Sequence, residues 1–146
     1  MWFLGHFAIG YFVALGIGRV TREKINIPLV WFFSILPDLD LFIPGLQHRG
    51  PTHSVVIAAL FYLPILLTLK RGLPYFAAVA SHSMIGDYIN PPVQMLWPIS
   101  NVWFEAPLRV KGATQFIVEI VLFSIMVLFI IRSRARTRAP LNPSYT

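Results

Sequence analysis

The sequence predicts an all-α integral membrane protein, with about five transmembrane helices in a compact bundle. Three observations carry this expectation. Hydrophobic residues make up 56% of the chain and charged residues 12%, about half of the roughly 25% usual in soluble domains. The mean hydropathy is +0.67. The basic residues gather between apolar runs and at the C-terminal end rather than along them. At 146 residues the chain is the size of one domain. The net charge of +6 follows from membrane topology, so nucleic acid is not an expected partner. There are no cysteines, which excludes disulfides, thiolate ligands and a thiol nucleophile.

The first apolar run covers residues 1 to about 20. It lacks a positive segment ahead of it, and Arg19, Arg22 and Lys24 follow it, so a helix with its N-terminus outside is expected rather than a cleavable signal. The second run covers 27–42, the third 54–69 and the fourth 72–89. These three are short or interrupted by Pro28, Pro37, Pro64 and Pro74, which a membrane tolerates where protein or a polar cavity covers the break. The fifth run, 115–131, is the most uniformly apolar. Residues 1–131 form the expected transmembrane domain, and 132–146 a basic, disordered cytoplasmic tail. Nine Lys and Arg follow runs one, three and five, against Arg49, Arg109 and Lys111 on the other side. The positive-inside rule therefore puts the N-terminus outside and the C-terminus in the cytoplasm of a cell (inner) membrane protein.

Within this apolar chain, every histidine and every aspartate falls on one side of that topology: His6, Asp38, Asp40, His48, His53, His82 and Asp87. Ionisable groups sunk in a bilayer cost several kcal/mol each unless paired or metal-bound. Imidazole plus carboxylate without thiolate is the donor set of a hydrolytic site for zinc first, or manganese or iron. All seven are candidate ligands, enough for one or two ions. Pro37-Asp38-Leu39-Asp40 sets two carboxylates beside a helix-disrupting proline; alone it could be an Asp-rich helix end. In His48-Arg49-Gly50-Pro51-Thr52-His53-Ser54 the Gly-Pro turn gathers two imidazoles, Thr52 or Ser54 can cap the next helix, and Arg49 suits an anionic oxygen. His82 and Asp87, five apart, lie about 140° off one face in a regular α-helix. They share a site only through a bulge, for which Gly86 is the candidate. Asn90 is either an orienting group or a C-cap. Residues 91–111, with Trp97, Trp103 and Phe104, read as an interfacial lid or connector. Glu105 there is a candidate general base that nothing in the sequence ties to the site, and Glu119 stands in the fifth run with no partner legible in the sequence.

Taken in order, His6, LPDLD (36–40), HRGPTHS (48–54), SHSMIGDYIN (81–90) and the run from Pro92 to Pro98 resemble the membrane-bound metal-dependent hydrolases, also described as LexA-binding, inner-membrane-associated hydrolases. The resemblance covers roughly residues 1 to 100. It implies a multi-helix membrane fold, a divalent-metal hydrolase activity and a site drawn from the same seven residues. The family pattern in helix four leaves three residues between His and Asp, whereas four intervene here. No feature of these residues bears on LexA binding.

The resulting expectation is a metal-dependent hydrolase opening to the outer leaflet, with membrane lipid as both solvent and substrate. A lipid phosphoester would be attacked by metal-activated water, with Asp40 as base or bridging ligand and Arg49 holding a phosphate oxygen. Two other classes stay open: a metal- or proton-coupled transporter, and a non-catalytic scaffold stapled by a coordinatively closed metal.

Overall fold

The computed structural model describes residues 3–69, 71–89, 92–107 and 110–138. Lys70, Asn90, Arg109 and residues 139–146 lie outside the described residues. Among those described, every regular element is helical, and the only strand-like pairing is an isolated bridge between Val93 and Phe104. In chain order the elements are α1 (Phe3–Thr21), α2 (Ile27–Ile35), a 3-10 helix (Leu36–Phe42), a 3-10 turn (Pro51–His53), α3 (Val55–Leu69), α4 (Leu73–Ser81) continuing as a π-helix (His82–Asp87), and α5 (Gly112–Arg138).

Two helices, Phe3–Thr21 and Gly112–Arg136, are long and apolar enough to cross a membrane. The second, third and fourth apolar runs form α-helices of only 9, 15 and 9 residues, shorter than the ~20 a full α-helical span needs. Proline sets the end of α2 alone, since Pro64 lies inside α3 and α4 runs on into the π-helix. A proline clashes with the carbonyl four residues earlier, so Pro37 tightens the end of α2 into a 3-10 helix. α5 outlasts its apolar run: the expected tail is helical through Arg138. Arg and Ala are good helix formers, and basic side chains suit a helix C-terminus.

α1 packs against α2, α4 and α5. Its buried face, which includes Gly10, Ala14 and Gly18 in line with His6, is built from small residues that let helix backbones approach closely. A side chain at Gly10 would collide with Ser34 on α2. Ala8, Tyr11, Ala14, Val30, Ala78 and Met126 form the buried core around this contact.

Glu119, which had no legible partner, fastens the start of α1. Its Oε2 accepts from the Gly5 N–H at 3.2 Å and its Oε1 from Gln115 Nε2 at 3.0 Å, with the residue only 2% exposed. A carboxylate among the free N–H groups of a first helical turn satisfies a donor and complements the helix dipole. Glu119→Ala is therefore expected to cost about 1–3 kcal/mol, read as a lower thermal unfolding midpoint in detergent. Glu119→Gln should recover part of the loss.

Candidate metal centre

Three local irregularities bring the seven histidines and aspartates to one end of the bundle. The first is the 3-10 helix after α2. With three residues per turn, Asp38 and Asp40 point about 120° apart, so the two carboxylates serve different neighbours. The second is the tight loop at residues 47–54. Gly50 N–H donates to Gln47 O at 3.0 Å, and His53 N–H donates to Gly50 O at 3.0 Å. Arg49 takes a left-handed backbone, φ 65°, a costly conformation for a non-glycine residue. Ser54, rather than Thr52, caps α3: its Oγ accepts from Val56 N at 3.1 Å and Ile57 N at 3.4 Å. The third is the π-helix itself. Its i→i+5 bonding brings residues five apart to the same side, which is how His82 and Asp87 meet despite their spacing. The expected bulge is present, and Gly86 allows it to sit under α1, since a Cβ there would enter the His6 ring.

Four atoms converge: Asp38 Oδ1, His53 Nε2, His82 Nε2 and Asp87 Oδ2. His53 Nε2 stands 3.2 Å from both Asp38 Oδ1 and Asp87 Oδ2. His82 Nε2 stands 3.4 and 3.3 Å from the same two oxygens. One ligand atom from each of the four residues lies within 4.8 Å of all the others. Ligands at the roughly 2.0–2.1 Å of zinc–nitrogen and zinc–oxygen bonds stand about 3.3 Å apart around a tetrahedral ion. The four N···O separations match that spacing.

The surrounding hydrogen bonds decide which ring nitrogens carry lone pairs. His82 Nδ1 is 2.6 Å from the Ser34 carbonyl oxygen; a carbonyl only accepts, so the proton is on Nδ1. Thr52 donates its single hydroxyl hydrogen to Asp40 Oδ2 at 2.7 Å. At 3.1 Å, His53 Nδ1 is therefore the donor to Thr52 Oγ1. Burial pulls the His53 imidazole below its ordinary value, against the opposing effect of Asp38, which favours this neutral form. In that form His53 Nε2 presents a lone pair to the two carboxylates, and buried His82 Nε2 faces the same two oxygens. Once both Nε2 atoms are unprotonated, four acceptors face one another, and a cation between them would remove the repulsion. The donor set fits a divalent ion.

The other three residues stand behind these four. Asp40, whose side chain is wholly buried, accepts from His48 Nδ1 at 2.9 Å and lies 3.4 Å from His53 Nδ1. The expected base is thus engaged on both oxygens, on the far side of the His53 ring from the converging atoms. Asp40, His48 and His53 also form a second group of close potential ligands, sharing His53 through its other nitrogen. His6 belongs to neither group. It stacks on His82, centroids 3.8 Å apart, with Nε2 3.6 Å from Asp87 Oδ1. Carboxylates and carbonyls behind ligating imidazoles fix tautomer and orientation, and their loss commonly costs 10–100-fold in metal affinity. Asp40→Ala should show a loss of that size in a chelator-competition titration.

The site opens where His48, Arg49 and Asp38 keep 35, 17 and 12% of their side-chain surface, the rest being 0–1% exposed. Arg49 Nη2 lies 3.7 Å from Asp87 Oδ1. Residues 92–107 are tied to this mouth by backbone bonds: Gln94 N–H to Arg49 O at 3.0 Å and Val55 N–H to Met95 O at 2.9 Å. Glu105, in that segment, is exposed. Sequence reasoning passed over Thr52 as a tautomer-setting group, although it stood within the HRGPTHS motif. It also had no signal for the Ser34 carbonyl, a backbone atom.

A family model described as YdjM inner membrane protein matches residues 1–142, and the chain belongs to that family. No curated protein and no solved structure matches.

Proposed function

Taking membership of an inner-membrane family as premise, we propose that the chain is a multi-pass, metal-dependent hydrolase that cleaves a phosphoester of a membrane lipid. The observation that supports it is the convergence of four acceptor atoms, one each from Asp38, His53, His82 and Asp87, beside an arginine at the mouth. A divalent ion, if held by Asp38, His53, His82 and Asp87, would supply Lewis acidity and an activated water near neutral pH. In this reading the charge bias sets the orientation, with five membrane-crossing segments, a cytoplasmic C-terminus and the site at the outer leaflet.

The chain's own groups have distinct parts. Arg49 turns from Asp87 to a non-bridging phosphate oxygen, for which its planar fork is suited. His48, its Nδ1–H held by Asp40 and its side chain 35% exposed at the mouth, would pass protons between the site and solvent. Asp40 is a positioning residue for both His48 and His53. Leu41, Phe42 and Ile43, which follow Asp40 in sequence, are exposed and offer apolar surface suited to acyl chains.

The test is incubation of metal-loaded protein with vesicles carrying phosphomonoester and phosphodiester lipids, followed by lipid mass spectrometry. Headgroup loss that stops with a chelator supports the reading; intact lipid in every case overturns it. One observation favours a second reading. Four protein ligands close a tetrahedral zinc ion, as in structural sites, whereas catalysis keeps an open position. The scaffold reading thus predicts a closed zinc, and the hydrolase a manganese, iron or expanded zinc ion with room for water.

A further inference from the structure

At the opposite end of α1 from His6 lies a cavity of about 1100 Å³ that the proposed hydrolase does not use. Fifteen residues separate His6 from Thr21 at its rim, roughly 22 Å along the helix. Its rim carries Arg22, Lys24 and Arg71, all exposed and none ion-paired among the described residues. The one acid in the lining, Glu23, offsets a single charge of the three. Glu23 spends a carboxylate oxygen on the Gly72 N–H at 2.6 Å, tying the α1–α2 loop to the start of α4.

The wall is apolar and aromatic. Phe33 packs edge-on against Tyr62, with centroids 5.4 Å apart, and tilted against Tyr75 at 5.6 Å. Ile65 and Leu73 extend this surface. The Tyr75 hydroxyl accepts from Asn26 N–H at 3.0 Å, and its own proton has no acceptor among the described residues. The volume of about 1100 Å³ lies just above the roughly 300–1,000 Å³ of small-molecule sites. Three cations and a phenolic donor above an aromatic, aliphatic wall match a molecule with a phosphate head and hydrocarbon tails.

We propose that this cavity binds an anionic glycerophospholipid. The headgroup phosphate sits among Arg22, Lys24, Arg71 and the Tyr75 hydroxyl, and an acyl chain lies along Phe33, Tyr62 and Ile65. Basic groups next to a membrane-spanning helix attract anionic lipid. By charge bias this end faces the cytoplasmic leaflet, so the lipid is a resident of that leaflet and distinct from the substrate proposed for the outer site.

The test is native mass spectrometry of the full-length protein, released from detergent with equal amounts of dioleoyl phosphatidylglycerol and dioleoyl phosphatidylcholine. The wild type should retain phosphatidylglycerol at least about fivefold over phosphatidylcholine. R22Q/K24Q/R71Q should level the two, and R132Q/R134Q/R136Q, which removes equal charge from α5, should leave the preference intact. If the first triple variant does not elute as a folded species, Arg71→Gln alone should at least halve the preference. Equal retention by the wild type overturns the proposal. So does a preference that survives the R22Q/K24Q/R71Q change, survives Arg71→Gln undiminished, or disappears with the α5 arginines. Displacement of the lipid by an equal concentration of glycerol 3-phosphate also overturns it, since the acyl contacts would then add nothing.

Discussion

His82→Ala is expected to weaken divalent-ion binding by at least about 100-fold. Four-ligand zinc sites bind with roughly 10–16 kcal/mol, so one ligand carries about 3 kcal/mol, or two orders of magnitude. His82 also has the best-defined tautomer in the site, because the Ser34 carbonyl takes its Nδ1 proton. Removing the ring leaves the Asp38 and Asp87 oxygens, 3.4 and 3.3 Å from its Nε2, facing a void. His53→Ala and Asp87→Ala should behave alike. His6→Ala should lose much less, since His6 contributes to neither group of convergent ligand atoms. Competition against a chromophoric chelator measures all four, with helicity and elution volume confirming the fold. Equal affinities in wild type and His82→Ala would remove that residue from the coordination sphere.

Arg49→Ala is expected to lower phosphoester turnover by about 100-fold or more while leaving the ion in place. Removing one preorganised donor to a developing oxyanion commonly costs 10²–10³ in rate. The sign of the effect on metal separates Arg49 from the ligands. Its guanidinium is a positive charge 3.7 Å from Asp87 Oδ1, so its loss should hold or raise cation affinity. Arg49→Lys keeps the charge but not the planar fork, and should recover the rate only in part. A fall in metal content in Arg49→Ala would show that the arginine organises the site instead of the substrate.

The site was more legible than the fold because its signals are chemical. Of the seven His and Asp in this apolar chain, six fall in two groups of close potential ligands, and His6 stacks beside them on His82. The awkward spacing of His82 and Asp87 already required a break or bulge, with Gly86 the candidate, since a regular helix could not align them. The division of labour was not legible. Whether Asp38 or Asp40 faces the centre depends on the 3-10 phase that Pro37 imposes, and a two-residue spacing alone allows either. Glu119 was opaque because its partner is a backbone N–H more than a hundred residues away. The ends of α5 and the number of crossing segments were blurred for a related reason. Apolarity marks where a helix can contact lipid, while hydrogen bonding and propensity decide where it stops, as at Arg138.

The most direct measurement is X-ray absorption at the metal edge on protein loaded with manganese, iron or zinc. The account predicts two imidazoles in a shell of five or six nitrogen and oxygen ligands, leaving at least one position for water. A closed shell of four protein ligands would contradict catalysis and leave a metal-stapled scaffold. A protein that binds no ion would contradict the metal centre itself.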